Sequence, residues 1–143
     1  MAAGKPTVRD SNFVSYKCSD AAILPGVIVQ IDTSNTDNQE TVCKAATAST
    51  QKVFGVATTA TTAANQEVTI QIGGICKVNC DGSGTSISEG DYIIATTAGQ
   101  GIIIDTEDAT NQYTIGLALQ PCTADGDFIP VLIERNAINK GTA

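Results

Sequence analysis

The sequence contains no histidine and no tryptophan. Without histidine, Ser-His-Asp and Cys-His nucleophilic systems are excluded, together with His-ligated metals, and the commonest general base is missing. Aromatic residues make up 4% of the chain and charged residues 16%, so the core is expected to rest on Ile, Val, Leu and Ala. Basic charge is scarce: eight Lys and Arg against fifteen Asp and Glu leave a formal charge of −7 and a pI near 4.3. Neutralising phosphates needs clustered Lys and Arg, so no nucleic-acid partner is expected. No apolar run is long enough to span a membrane, and none is expected to bind one. Met1 to Lys5 leads into a polar stretch rather than an apolar one, so no secretory signal is read, and Asn-x-Ser/Thr sites are absent.

The remaining candidates for chemistry are thiols, acids and one glycine-rich stretch. Cys18, Cys43, Cys76, Cys80 and Cys122 are odd in number, lack framework spacing and are read as free, buried thiols. A reactive thiolate needs a cation or a helix N-terminus beside it. Cys18, Cys43 and Cys76 have a Lys next in sequence, but neighbours on a strand point to opposite faces. Cys76 and Cys80 on one strand would lie about 13 Å apart, too far for a disulfide or a shared metal, although a turn at Asn79 would bring them closer. Asp105, Glu107 and Asp108, and separately Asp125 and Asp127, invite a hydrolase or calcium reading. Neither group completes a calcium loop, and the second flanks Gly126 in a hairpin-like turn. Asp81-Gly82-Ser83-Gly84-Thr85 lacks the Lys and the following helix of a phosphate loop. No catalytic residue, metal or cofactor is assigned.

What the sequence does contain is β structure. Its polar residues are mostly Thr, Ser, Asn, Gln and Gly, and β-branched side chains suit a pleated surface. Apolar runs at 27–31, 53–57, 68–72, 75–78, 92–95, 102–104, 113–119 and 128–133 predict short strands. Between them Gly26, Gly82, Gly84, Gly90, Gly99, Gly101 and Gly126 predict close turns of positive φ. No window keeps helical periodicity for three turns. The pattern predicts an all-β sandwich or barrel.

Residues 1–12 are small and polar, without periodicity, and are expected to form an N-terminal arm; 13–135 form a single β domain and 136–143 a C-terminal tail. Residues 20 to 134 carry fourteen of the fifteen acids but only Lys44, Lys52 and Lys77 among the bases. Basic ends of this kind would suit an acidic partner surface. A weak internal repeat lays Ile23 to Ile72 on Ile87 to Ile133. It pairs Ile23-Leu24-Pro25-Gly26 with Ile87-Ser88-Glu89-Gly90, and Phe54-Gly55-Val56-Ala57 with Ile115-Gly116-Leu117-Ala118. Two related β halves around one core would explain it, and so would the echoes any glycine-punctuated β chain produces.

One ordered series of features carries a resemblance. Leu24-Pro25-Gly26-Val27 is followed by Val53-Phe54-Gly55-Val56-Ala57, then by Val68-Thr69-Ile70-Gln71-Ile72-Gly73-Gly74 and Ile87-Ser88-Glu89-Gly90-Asp91-Tyr92-Ile93-Ile94. A Gly99 to Gly101 hairpin, Thr114-Ile115-Gly116-Leu117-Ala118 and a closing strand Phe128 to Ile133 complete it. In this order the chain resembles the capsid decoration, or cement, proteins of tailed bacteriophages. The resemblance implies a compact β-tulip or barrel-like domain of short antiparallel strands with an extended N-terminal arm. It implies a homotrimer on the exterior of the virion, bound to the major capsid protein at three-fold and quasi-three-fold positions and made in the cytoplasm of the bacterial host. It further implies a non-enzymatic role, stabilising the shell against internal pressure. The arm would contact the capsid or a neighbouring subunit through Lys5, Pro6, Thr7, Val8, Arg9, Phe13 and Val14, with Val8, Phe13 and Val14 as apolar anchors and Lys5 and Arg9 as electrostatic contacts. A free-standing β binding module, such as a tail-fibre head or carbohydrate-binding domain, shares the turn-rich pattern and is the alternative.

Overall fold

The computed structural model describes residues 12–20, 22–34, 42–104 and 111–138. Ten strands occur in that span: β1 (Phe13–Cys18), β2 (Ile28–Ile31), β3 (Val42–Ala45), β4 (Val53–Ala57), β5 (Gln66–Gln71), β6 (Ile75–Asp81), β7 (Tyr92–Ala95), β8 (Gly101–Ile103), β9 (Gln112–Ala118) and β10 (Asp125–Ile138). Among the described residues the chain has no α-helix, and a 3-10 turn at Thr97–Gly99 joins β7 to β8.

The strands close into two five-stranded barrels, β1-β3-β2-β4-β5 and β6-β8-β7-β9-β10. Their connectivity is identical when each strand of the first is matched to the strand five places later. β1 runs parallel to β3 and β6 parallel to β8; every other pair is antiparallel. The match extends to single bonds. Ile23 bridges Thr61 as Ile87 bridges Cys122. Gly26 N–H donates to Ala57 C=O as Gly90 N–H donates to Ala118 C=O. Gly26 and Gly90 both have φ near +90°, which glycine adopts without steric cost. Of the glycines expected at positive φ, Gly82, Gly84 and Gly101 are not in that region, whereas Gly74 is. Gly101 lies in β8, where a Cβ would press on Ile93 and Cys80.

The registers define which residues correspond. Ala57 pairs with Ile70 and Ala118 with Val131; Cys18 pairs with Gln66 and Cys80 with Asp127. Ile28 pairs with Val56 and Tyr92 with Leu117. The internal repeat is therefore a structural duplication, with the alignment the sequence suggested for Phe54–Ala57 and Ile115–Ala118.

Two apolar clusters make the core. Cys18, Ile23, Val27, Val29, Cys43, Ala57, Val68 and Ile70 fill the first barrel. The larger cluster fills the second barrel and takes in Ile28, Ala46, Val53 and Val56 from the first. Those four turn outward from their own barrel and are covered by the other, so the halves share one body of packed side chains. Tyr113 N–H to Ser49 C=O, Asn79 N–H to Gly26 C=O and Arg135 Nη1 to Phe54 C=O, at 2.9, 3.0 and 3.1 Å, tie the barrels across that contact.

The segment 136–143, read as a tail, begins instead as strand. A register shift between Ile133 and Asn136 lets β10 resume pairing with β9 at Thr114, Tyr113 and Gln112, so it runs on to Ile138. Of the arm, only Asn12 lies within the described residues; its C=O accepts from Ile72 N–H at 2.7 Å.

Candidate interaction surface

The groups capable of chemistry are occupied by the fold. All five cysteines are free and buried. Cys18 and Cys43 are register partners across the parallel pair, and their thiols hydrogen-bond. Burial, with the neighbouring Cys18, pushes the Cys43 thiol up to about 12; burial also raises Cys18, lifts Cys76 to about 11 and, with Cys122 nearby, Cys80 to about 12. A thiol held protonated at neutral pH is a poor nucleophile and metal ligand. Cys76, Val78 and Cys80 are all buried on one strand, so no turn at Asn79 brings the two cysteines together.

Several of the acids cap turns. Asp32 Oδ1 accepts from Ser34 N–H at 3.0 Å and Ser34 Oγ–H at 2.6 Å, and Lys44 Nζ lies 3.3 Å away. The Ser34 and Ser19 hydroxyls hold this carboxyl well below the usual carboxylate range. Asp81 repeats the arrangement with Ser83, at 2.9 and 2.6 Å, which assigns the glycine-rich stretch a local turn role. Asp125 accepts from Gln100 Nε2 at 2.6 Å, and Gly126, at φ +87°, sits where the β10–β6 register shifts between Asp125 and Asp127. Asp105, Glu107 and Asp108 lie outside the described residues. No group of three potential metal ligands occurs among the described residues.

Among the described residues, shallow cavities open where the barrels meet. One, of about 330 Å³, is lined by Pro25, Gly26, Ile75, Cys76, Lys77 and Phe128 among others; another, of about 230 Å³, by Lys52, Val53, Tyr113 and Arg135 among others. Each couples apolar walls to one or two exposed cations, with no acid–base pair.

The outer surface is more distinctive. On β10 the residues between inward-pointing Ile129, Val131 and Ile133 are Phe128, Pro130 and Leu132, so both faces of the strand are apolar. The register carries the outer row across four strands: Leu132 pairs with Ile75 of β6 and Leu117 of β9, and Leu117 with Tyr92 of β7. Exposure is 61% at Ile75, 51% at Phe128 and 37% at both Leu132 and Tyr92. The corresponding residues of β5 are Glu67, Thr69 and Gln71, all polar: Glu67 is exposed, Thr69 half-buried, and Gln71 buried with its amide donating to Gly73 and Ile75 C=O. The internal repeat leads one to expect alike alternation in the two closing strands; the structure corrects this, because Phe128, Pro130 and Leu132 are apolar where β5 has Glu67, Thr69 and Gln71.

Of the expected contact residues, Phe13 and Val14 belong to β1. Phe13 pairs with Gln71 and is 45% exposed; Val14 pairs with Ile70 and packs against the interior of the first barrel, so only Phe13 is presented outward. Lys5, Pro6, Thr7, Val8 and Arg9 lie outside the described residues.

The described residues form a doubled β-barrel whose most exposed feature is an apolar surface. The family model described as phage cement protein matches residues 8–133. The chain belongs to that family and is a structural protein of the phage particle. No curated protein sequence matches it. Among solved structures it is similar to the N base of the head fiber gp8.5 of bacteriophage phi29, with a TM-score of 0.62 and 15% identity over 85% of this chain and 92% of that one. At that identity the likeness establishes the shared fold.

Proposed function

We propose that the chain binds the exterior of a phage capsid as a homotrimer at three-fold and quasi-three-fold positions, contacts the major capsid protein, and stabilises the shell against the pressure of packaged DNA. The match of the cement family to nearly the whole described fold carries this reading. The fold supports it physically. A shared core, two barrels without long open edges and thiols withdrawn from solvent make a stiff, inert body. Tight attachment does not require strong single contacts, because three linked subunits raise one another's effective concentration at the shell.

In this reading residues 1–12 form the attachment arm, with Val8 as an apolar anchor and Lys5 and Arg9 meeting acidic groups of the shell, while Phe13 extends the contact from the start of β1. An arm that adds as a strand needs a sheet edge to join. The closed barrels offer little edge of their own, so the receiving sheet belongs to the capsid protein. The protein is made in the host cytoplasm and resides on the outside of the virion.

The test is co-sedimentation of the full chain and of a variant lacking residues 1–12 with expanded, empty capsids. The full chain is expected to saturate the shell and to raise the temperature at which filled capsids release DNA. The deleted variant is expected to fold normally and bind at least tenfold more weakly. No binding by the full chain, or unchanged binding without the arm, overturns the corresponding part of the proposal.

A further inference from the structure

We infer that the outer apolar face of the second barrel, built on Ile75, Leu132, Leu117 and Tyr92 with Phe128 and Pro130 beside them, is a contact surface for a second copy of this chain. The duplication provides an internal comparison. In the first barrel the residues corresponding to Leu117 and Tyr92 are Val56 and Ile28, both fully buried because the second barrel lies over them. The same face of the second barrel is apolar and, among the described residues, has nothing over it. A fold position that is covered by a barrel in one half, and carries matching side chains uncovered in the other, fits another barrel of the same kind.

The fold itself does not demand this chemistry. Beyond the shared row, the positions matching Lys77, Pro130 and Phe128 are Ser15, Thr69 and Glu67, all polar. Charge points the same way. Two chains of net charge −7 repel, and can approach closely only where acids are absent. The row across β6, β10, β9 and β7 has no acidic side chain; Asp125 and Asp127 stand at the start of β10, and Glu134 follows Leu132 at the edge of the face. The exposed side chains of the face present on the order of 500 Å² of apolar surface; set against an equal area of a neighbour, that reaches the roughly 1,000 Å² a specific interface needs.

The shape of the face bears on symmetry. It crosses three of the five strand-to-strand steps around a closed barrel, so it points in two directions. The contact between the barrels within one chain is also made by unlike surfaces. Contacts between unlike surfaces build rings where the rotation closes and open filaments where it does not, rather than two-fold pairs. The inference takes from the proposed cement role only the expectation that the ring has three members.

The experiment is size-exclusion chromatography with light scattering on the full chain at about 100 µM, with Leu132→Glu, Ile75→Gln and, as a control on the matching face of the first barrel, Ser15→Glu. Circular dichroism checks the fold of each, and binding to expanded capsids is measured in parallel. The full chain and the control are expected at three times the chain mass. The other two variants, whose sites are exposed enough to accept a polar side chain, are expected to fall threefold to the mass of one chain. A monomeric full chain, or a folded Leu132→Glu variant that stays assembled, overturns the inference. Capsid binding by a monomeric full chain leaves the cement role standing without this interface; assembly through this face without capsid binding does the reverse. Loss of capsid binding in Leu132→Glu with assembly intact assigns the face to the shell and also overturns the inference.

Discussion

Gly55 and Gly116 hold the same place in the two barrels, each facing the carbonyl oxygen of the corresponding partner-strand residue. A Cβ on Gly55 would lie 2.5 Å from Gln71 O, and one on Gly116 would collide with Leu132 O. The obstacle is backbone in both cases and has no rotamer by which to yield. Gly116→Ala is expected to cost about 3 kcal/mol, at the upper end of overpacking, and to lower the melting temperature by on the order of 10 °C. Gly84→Ala, which meets nothing within 4 Å, is expected to stay within about 0.5 kcal/mol of the parent. Equal melting of the two variants would contradict this account.

Ile28 belongs to β2 of the first barrel but packs in the cluster that fills the second. Ile28→Ala is expected to cost about 2–5 kcal/mol and to lower the stability of both halves together. Tyr16, whose ring lies tilted against Phe54 at 5.5 Å, reports on the first barrel, and Tyr113 on the second. Their nuclear magnetic resonance signals are expected to disappear at one denaturant concentration. Two separate transitions would mean that the shared cluster does not couple the barrels.

The thiols make a prediction at alkaline pH. Cys43, Cys76 and Cys80 titrate at about 11–12 in the fold, against about 8.5 in an unfolded chain. The unfolded chain therefore loses these protons first. Stability is expected to be full below about pH 8.5 and to decline as pH rises towards 12. At pH 8 a thiol-specific aromatic disulfide is expected to label none of the five within minutes and all of them in denaturant. Rapid labelling of the native protein would show an opening that the closed barrels do not contain.

Asp32 titrates in the opposite direction. Its carboxyl is held low by Ser34 and Ser19, with Lys44 beside it, so its contribution is present above an unfolded pKa of about 3.9 and is lost as pH falls. Asp32→Ala is expected to cost on the order of 1–2 kcal/mol at pH 7, and the gap to the parent is expected to narrow steadily below pH 4. Denaturant melts at pH 7 and pH 3 check it; a gap independent of pH would place the effect in packing.

The strands that bury a continuous apolar run were legible in the sequence: 53–57 and 92–95 coincide with β4 and β7, and the other six runs overlap β2, β5, β6, β8, β9 and β10. β1 and β3 were not, because Phe13-Val14-Ser15-Tyr16-Lys17-Cys18 has no apolar run longer than two residues and Val42-Cys43-Lys44-Ala45 is too short to show a period. Their mutual pairing is parallel and joins residues 25 apart, at Lys17 with Val42 and Cys18 with Cys43. No local pattern encodes such a contact. Without β1 and β3 the first barrel cannot close, which is why two matched halves were visible and two barrels were not. Strand 10 was cut short at its bulge for a similar reason, since Glu134, Arg135 and Asn136 are exposed and polar there. At the candidate surface, the sequence drew attention to the basic end of the chain, whereas the fold presents an apolar face that needs the register of four strands to assemble.

The pairing of β1 through β5 among themselves also sets an order of events during synthesis. Every pairing partner of the first barrel lies at or before Gln71, so that barrel can close on the ribosome while the second is still being translated. Its outward Ile28, Val53 and Val56 then stay wet until β9 and β10 emerge. Nascent chains paused in that interval would expose an adhesive surface to one another. A host translating this message quickly through residues 72–138 would shorten the period in which half-made copies can aggregate.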